Sequence, residues 1–201
     1  MKQKTSSGIP ARVALCISVF FSPFIVPIVT AVFVVQKHAS SSHEVYLWVA
    51  VIAVFVTILP ILSVLLLFRF SKVSNVHLPD KEERLLPLCI ICISMALGAI
   101  VLYSIGASWK IIWVCLAFIV NSVVFSIITP FWKISFHTSV ATGCILVLVL
   151  LLNVKLLWLF LLIPIITWAR VYRKRHTLLQ TLAGTVVATI NTMLFYIILP
   201  F

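Results

Sequence analysis

Between Trp168 and Gly184 the chain reads "WARVYRKRHTLLQTLAG", which places Arg170, then His176 six residues later, then Gln180 four residues after that. A second histidine, His137, ends the stretch "KISFH" behind Lys133 and Ser135, and Arg84 follows Lys81 in "HLPDKEERLLP", ahead of Pro87. These residue types share a use. A guanidinium offers a planar fork of donors to phosphate oxygens, a lysine adds a compact charge, and helix N-termini contribute unpaired N–H groups and a positive dipole end. Two imidazoles supply a nucleophile and a proton donor, which phosphoryl transfer also needs. The matching ligand is an anionic phosphate headgroup. Because the cations already neutralise it, no metal and no other cofactor is expected.

What positions such residues depends on the solvent around the chain. Of its 201 residues 63% are hydrophobic and only 9% charged, with a mean hydropathy of +1.26. Those values exclude a water-soluble domain and predict one integral membrane domain over 1–201. The formal net charge of +11 is read as contact with lipid headgroups, and no nucleic-acid partner is expected.

Seven apolar segments are predicted, at 12–36, 45–68, 85–105, 111–129, 138–152, 156–168 and 177–201. Helix is the form that satisfies backbone polar groups in lipid, and the period-2 alternation of a barrel is absent. The expected fold is therefore all-α, a polytopic membrane bundle of six or seven transmembrane helices. The first segment contains Pro23 and Pro27 in "FSPFIVP", so the region 1–44 is expected to be kinked or re-entrant. It is expected to be retained, since the apolar run exceeds a signal-peptide core.

With seven spans, all lysines and arginines except Lys37, Lys110 and Lys155 fall on one face, 12 of the chain's 15. The positive-inside rule makes that face cytoplasmic, here in a bacterial inner membrane. With six spans and a re-entrant first segment, Lys2, Lys4 and Arg12 change sides and the bias weakens. In both topologies an even number of spans separates Arg84, His137 and the Arg170/His176 pair, so all three patches share a face.

This ordered set resembles the type 2 phosphatidic-acid phosphatase (PAP2) superfamily, whose motifs read K-x6-R-P, P-S-G-H and S-R-x5-H-x3-D on membrane helices. The third motif matches as Arg170, His176 and Gln180, with Ala169 in the serine position and Gln180 in the aspartate position. The second keeps Ser135 and His137 but has Ile134 and Phe136 for proline and glycine. The first keeps Arg84 and Pro87, two leucines apart, with His77 in the lysine position and Lys81 as an alternative cation. The likeness covers 72–184. It implies a lipid phosphate or diphosphate phosphatase, or a phosphoryl transferase, working through a phosphohistidine. His176 would be the nucleophile and His137 the acid, with Arg84, Arg170, Lys81, Lys133 and Ser135 holding phosphate oxygens. Gln180, one helical turn after His176, would orient that imidazole without neutralising it.

The alternatives are a catalytically degenerate relative that binds an anionic lipid or a protein partner, as a homo-oligomer or in a membrane complex, and a carrier of an anionic lipid. Absence of intramembrane acids counts against an active transporter. Elsewhere the residues have simpler assignments. Cys89 and Cys92, though spaced as CxxC, lie in an apolar run without a second ligand pair and are read as packing thiols. Asp80, Glu82 and Glu83 could bind a divalent ion but are read as balancing Lys81 and Arg84 at a helix start. Asn121 and Asn191 are read as interhelical hydrogen-bonding groups, and Trp48, Trp109, Trp132 and Trp168 as interfacial anchors.

Overall fold

The computed structural model describes residues 8–74 and 82–200, so His77, Asp80 and Lys81 lie outside the described residues. Every regular element among the described residues is helical. They are α1 (Ile9–Phe20), α2 (Val26–His38), α3 (Ser42–Arg69), α4 (Leu85–Ser104), α5 (Trp109–Ile128), α6 (Phe136–Leu151), α7 (Val154–Tyr172) and α8 (Leu178–Ile198). Five of them, α3, α4, α5, α7 and α8, are long and apolar enough to cross a membrane. The chain is a helical bundle of integral-membrane character.

Burial is inverted relative to a soluble protein. Ile93, Ile100, Ile127, Val186, Ile190 and Ile197 point outward, whereas Ser94, Ser122, Thr138, Thr142, Thr181 and Thr192 are buried. Lipid solvates the first set, and from the second Ser94, Ser122, Thr138 and Thr192 make hydrogen bonds between helices. Helix α6 is the axis. Every residue from Thr138 to Val147 on it is buried, and α2, α7 and α8 pack around it.

The predicted first segment divides into two short helices at residues 21–25. Ser18, near the end of α1, meets His137 at the N-terminal end of α6. Lys37, at the end of α2, reaches Leu151 and Leu152 at the other end of α6. Helix α2 runs along α6 and α1 along α7, with the break between them at residues 21–25.

A second proline explains an irregularity in α3, where the turns over Ala53–Ile58 are of the wide π type. Pro60 has no N–H, so the carbonyl of Phe55, its π-type partner, lacks an intrahelical donor. Ser94 Oγ on α4 donates to that carbonyl at 2.6 Å. Gly98 lies beside it, and a Cβ there would come within 2.7 Å of Phe55 Cβ.

Two sequence assignments change. Trp48 is 3% exposed, inside the core with Val34, Val35 and Trp113, because α3 extends back to Ser42 and carries it below the helix end. Glu83 accepts from Ser74 N–H and Oγ–H at 3.0 Å, so it closes the loop between α3 and α4 and does not serve only the cations beside it. Asn121 acts as expected, its Nδ2 donating to Thr192 Oγ1 on α8 at 3.3 Å.

Candidate active site

The site is at the N-terminal end of α6, between the end of α7 and the start of α8. Its most exact piece of construction is the turn from Arg170 to His176. Helix α7 closes with Arg175 N–H donating to the Arg170 carbonyl (3.1 Å) and Lys174 N–H to that of Val171 (2.8 Å). This pair of bonds defines a Schellman cap, with Lys174 in the left-handed region at φ 51°. The cap reverses the chain within one turn and returns it beside Arg170, which is what a five-residue spacing between arginine and histidine requires.

Helix α8 then begins with a capping box. Thr177 Oγ1 accepts from Gln180 N–H at 3.3 Å, and Gln180 Oε1 accepts from Thr177 N–H at 3.1 Å. The same Oε1 stands 3.2 Å from His176 Nδ1. An amide oxygen only accepts, so Nδ1 is the protonated nitrogen and the Nε2 lone pair is left free. His176 is buried, at 8% exposure.

Among the described residues, the charges that act on it are all positive. Arg170, Arg84 and Lys133 act on His176, and Arg173, Arg175 and Arg84 act on Arg170. Burial first, and then those three cations, push the His176 imidazole down to about 4, against the smaller upward pull of Gln180. The ring is neutral at physiological pH. Arg170 Nε is buried without a hydrogen-bond partner.

Ser135 caps α6 in an unusual way. Its N–H donates to the Gln180 carbonyl at 2.9 Å, its side chain makes no capping bond, and its Oγ is fully buried with no partner. Geometry leaves the first-turn N–H groups of Phe136, His137 and Thr138 without intrahelical acceptors. Thr138 Oγ1 ties this end to α8 by donating to the Thr181 carbonyl at 2.9 Å. The α6–α8 contact is tight here, since a Cβ on Gly184 would meet the Ser135 carbonyl oxygen at 2.5 Å. His137 lies in the electrostatic reach of Arg170, His176 and Arg173.

The structure thus brings together His137, His176, Gln180, Ser135, Arg84, Arg170 and Lys133, from segments far apart in the chain. Lys81 lies outside the described residues. Three contributors were not singled out from sequence: Ser18, whose backbone meets the ring of His137, and Thr177 and Gly184. Thr177 was legible as a T-x-x-Q capping box, and Gly184 as an isolated glycine inside a helical pattern. Ser18 carries no such signal. No family model, curated protein or solved structure matches the chain. The PAP2 likeness therefore rests on the three motifs alone.

Proposed function

We propose that this protein is a membrane lipid phosphate or diphosphate phosphatase of the PAP2 type, or a phosphoryl transferase of the same mechanism. The observation that carries the reading is the state of His176: buried, neutral, with Nδ1–H given to Gln180 and the Nε2 lone pair available among cations. Among the described residues the charges acting on His176 are all positive, and such a cluster is stabilised by an anion; beside it Ser135 Oγ and Arg170 Nε are buried donors without partners.

In this reading His176 Nε2 attacks phosphorus and a P–N bond forms. The P–O ester bond breaks, its electron pair stays with the leaving oxygen, and His137, which takes up a proton once the phosphate's negative charge offsets the cations around it, gives that proton to the oxygen. A water molecule then attacks phosphorus, returning a proton to His137 as the P–N bond breaks and phosphate departs. Arg170, Arg84 and Lys133, with the first turn of α6, hold the equatorial oxygens as charge develops. In the family the aspartate at the position of Gln180 balances the cationic phosphohistidine. An amide orients without balancing, and this favours a slower enzyme, or a second reading as a degenerate relative that binds an anionic lipid.

The substrate is read as a lipid because the site is at a helix end, at headgroup depth, where a membrane-dissolved molecule arrives laterally. Counting α1–α2 as one kinked crossing gives seven crossings. In this reading the site belongs to the face with the excess of lysine and arginine, taken as cytoplasmic in a bacterial inner membrane by the positive-inside rule.

The deciding experiment is phosphate release in detergent from phosphatidate, phosphatidylglycerophosphate and a polyprenyl diphosphate. The expected result is turnover of at least one substrate, abolished in His176→Ala. Absence of turnover on all three, with saturable lipid binding that Arg170→Ala weakens, would select the binding protein. Indifference to both substitutions would leave a scaffold.

A further inference from the structure

Which nitrogen of His176 carries the proton decides whether the ring can attack, and that choice is made outside the ring. The side chain of Gln180 ends in an oxygen and an NH2 of nearly the same size, so its amide can face Nδ1 either way. With oxygen toward the ring, Nδ1 carries the hydrogen and the Nε2 lone pair is open. With NH2 toward the ring, Nδ1 accepts, the hydrogen sits on Nε2, and the nucleophile is lost.

One neighbouring group separates the two states. The backbone N–H of Thr177 can only donate, and it meets, at 3.1 Å, the same Gln180 atom that stands 3.2 Å from His176 Nδ1. That atom must be oxygen. Its two lone pairs are then divided between Thr177 and His176. The main chain of Gln180 is held independently, its N–H donating to Thr177 Oγ1 at 3.3 Å and its carbonyl accepting from Ser135 N–H at 2.9 Å. Rotation of the terminal amide is the freedom that remains, and the Thr177 N–H removes it. His176 is 8% exposed, so little water can replace the amide beside it.

We propose that Thr177 is a positioning residue for the nucleophile: its backbone N–H fixes the Gln180 amide and, through that amide, the tautomer of His176. The proposal rests on the phosphatase reading. It gives a role to one of the three unspecified residues between the histidine and position 180 of the third motif.

The test removes that N–H. Thr177 has φ -81° and ψ 165°, which proline accepts, and it is exposed, so Thr177→Pro deletes the donor without disturbing the core. The first readout is NMR of protein with isotope-labelled imidazole nitrogens in detergent, the His176 signal being located by its loss in His176→Ala. Wild type should show the Nδ1–H tautomer, and Thr177→Pro a shift toward Nε2–H. The second readout is turnover of phosphatidate, phosphatidylglycerophosphate and a polyprenyl diphosphate. On the substrate that wild type turns over best, kcat should fall by about 10- to 100-fold with KM within about threefold. Thr177→Ser, which keeps the donor and the cap, should match wild type in both readouts.

Ser41 supplies the structural control, because its Oγ caps α3 in the same way by accepting from Glu44 N–H at 3.2 Å. Ser41→Ala should lose comparable stability and change neither readout. If Thr177→Pro does not fold, Thr177→Val, which frees Gln180 N–H and loosens the same turn, should give both changes at smaller size. An unmoved tautomer or an unmoved kcat in the Thr177 variant, or an equal kcat loss in Ser41→Ala, would overturn the assignment alone. Wild-type protein inert on all three substrates would overturn the phosphatase reading and the assignment with it.

Discussion

At the C-terminal end of α6, Lys37 Nζ donates to the carbonyl oxygens of Leu151 (3.2 Å) and Leu152 (2.9 Å). At the N-terminal end, the charges of Arg170, Arg84 and Lys133 act on His176, and among the described residues none of the charges acting on it is negative. The residue types are similar and the electrostatics are opposite. A helix carries roughly half a positive charge at its N-terminus and half a negative one at its C-terminus. Lys37 therefore sits where the dipole favours a cation and serves the scaffold. Arg84 sits at the N-terminus of α4, where the dipole disfavours a cation, whereas Arg170 sits in the last turn of α7, whose dipole favours it, beside the opposing N-termini of α6 and α8. On the proposed reading, what separates the two ends is that several cations gather at the second, where an anion would reconcile them.

The sharpest way to break that contrast is to remove one group from each end. His176→Ala deletes the nucleophile, and phosphate release should fall by about 10³-fold or more. Lys37→Ala should leave kcat within a few-fold of wild type and lower stability by about 1 kcal/mol, since it uncaps two carbonyls. Comparable kcat losses in both variants would dissolve the distinction.

Arg170→Ala tests the same contrast by ligand-linked stability. Inorganic phosphate or vanadate should raise the melting temperature of the wild type in detergent, and the variant should lose most of that gain together with about 10²-fold in kcat. Without ligand the variant should be no less stable than wild type, because it relieves repulsion with Arg84, Arg173 and Arg175. A marked loss of ligand-free stability would mean that Arg170 is a scaffold charge like Lys37.

The two ends also differ in how far sequence revealed them. Helix positions emerged from hydropathy within a few residues, because lipid imposes length and apolarity directly. The convergence of Arg84, His137 and His176 was legible from the parity of spans. What stayed hidden was close packing and backbone hydrogen bonding. Trp48 read as an interfacial anchor because its segment was started three residues late. Gly184 matters because its missing Cβ lets α8 touch the Ser135 backbone, a fact of three dimensions. Gly184→Ala should accordingly cost about 1–3 kcal/mol in unfolding experiments, as overpacking does, and should weaken phosphate binding because the moved wall is the N-terminus of α6.

Gln180→Asp asks whether the positive end lacks one negative charge. In the wild type the His176 imidazole titrates near 4, so kcat/KM should hold from neutral pH down to that region and fall as Nε2 is protonated. A carboxylate at 180 favours the charged ring and moves this acidic limb upward, by about one unit or more. It also stabilises the cationic phosphohistidine, so kcat at neutral pH should rise by about tenfold or less. An unmoved limb in the pH profile would show that residue 180 does not act on the nucleophile.

The smallest expected effect distinguishes two neighbours on the same turn. Lys174 adopts φ 51° at the cap position where glycine is usual, and it is not among the charges acting on Arg170 or His176. Arg175, the next residue, is among those acting on Arg170. Lys174→Gly removes a left-handed Cβ penalty of about 1 kcal/mol. It should raise thermal stability by that amount with kcat and the phosphate-induced stabilisation unchanged. Arg175→Ala, by contrast, should leave stability near wild type and reduce the phosphate-induced gain, because it thins the field that meets the anion. If the glycine variant lost activity, the turn would be acting on the site through its net charge alone, and the separation of scaffold from site at this end would be drawn one residue too narrowly.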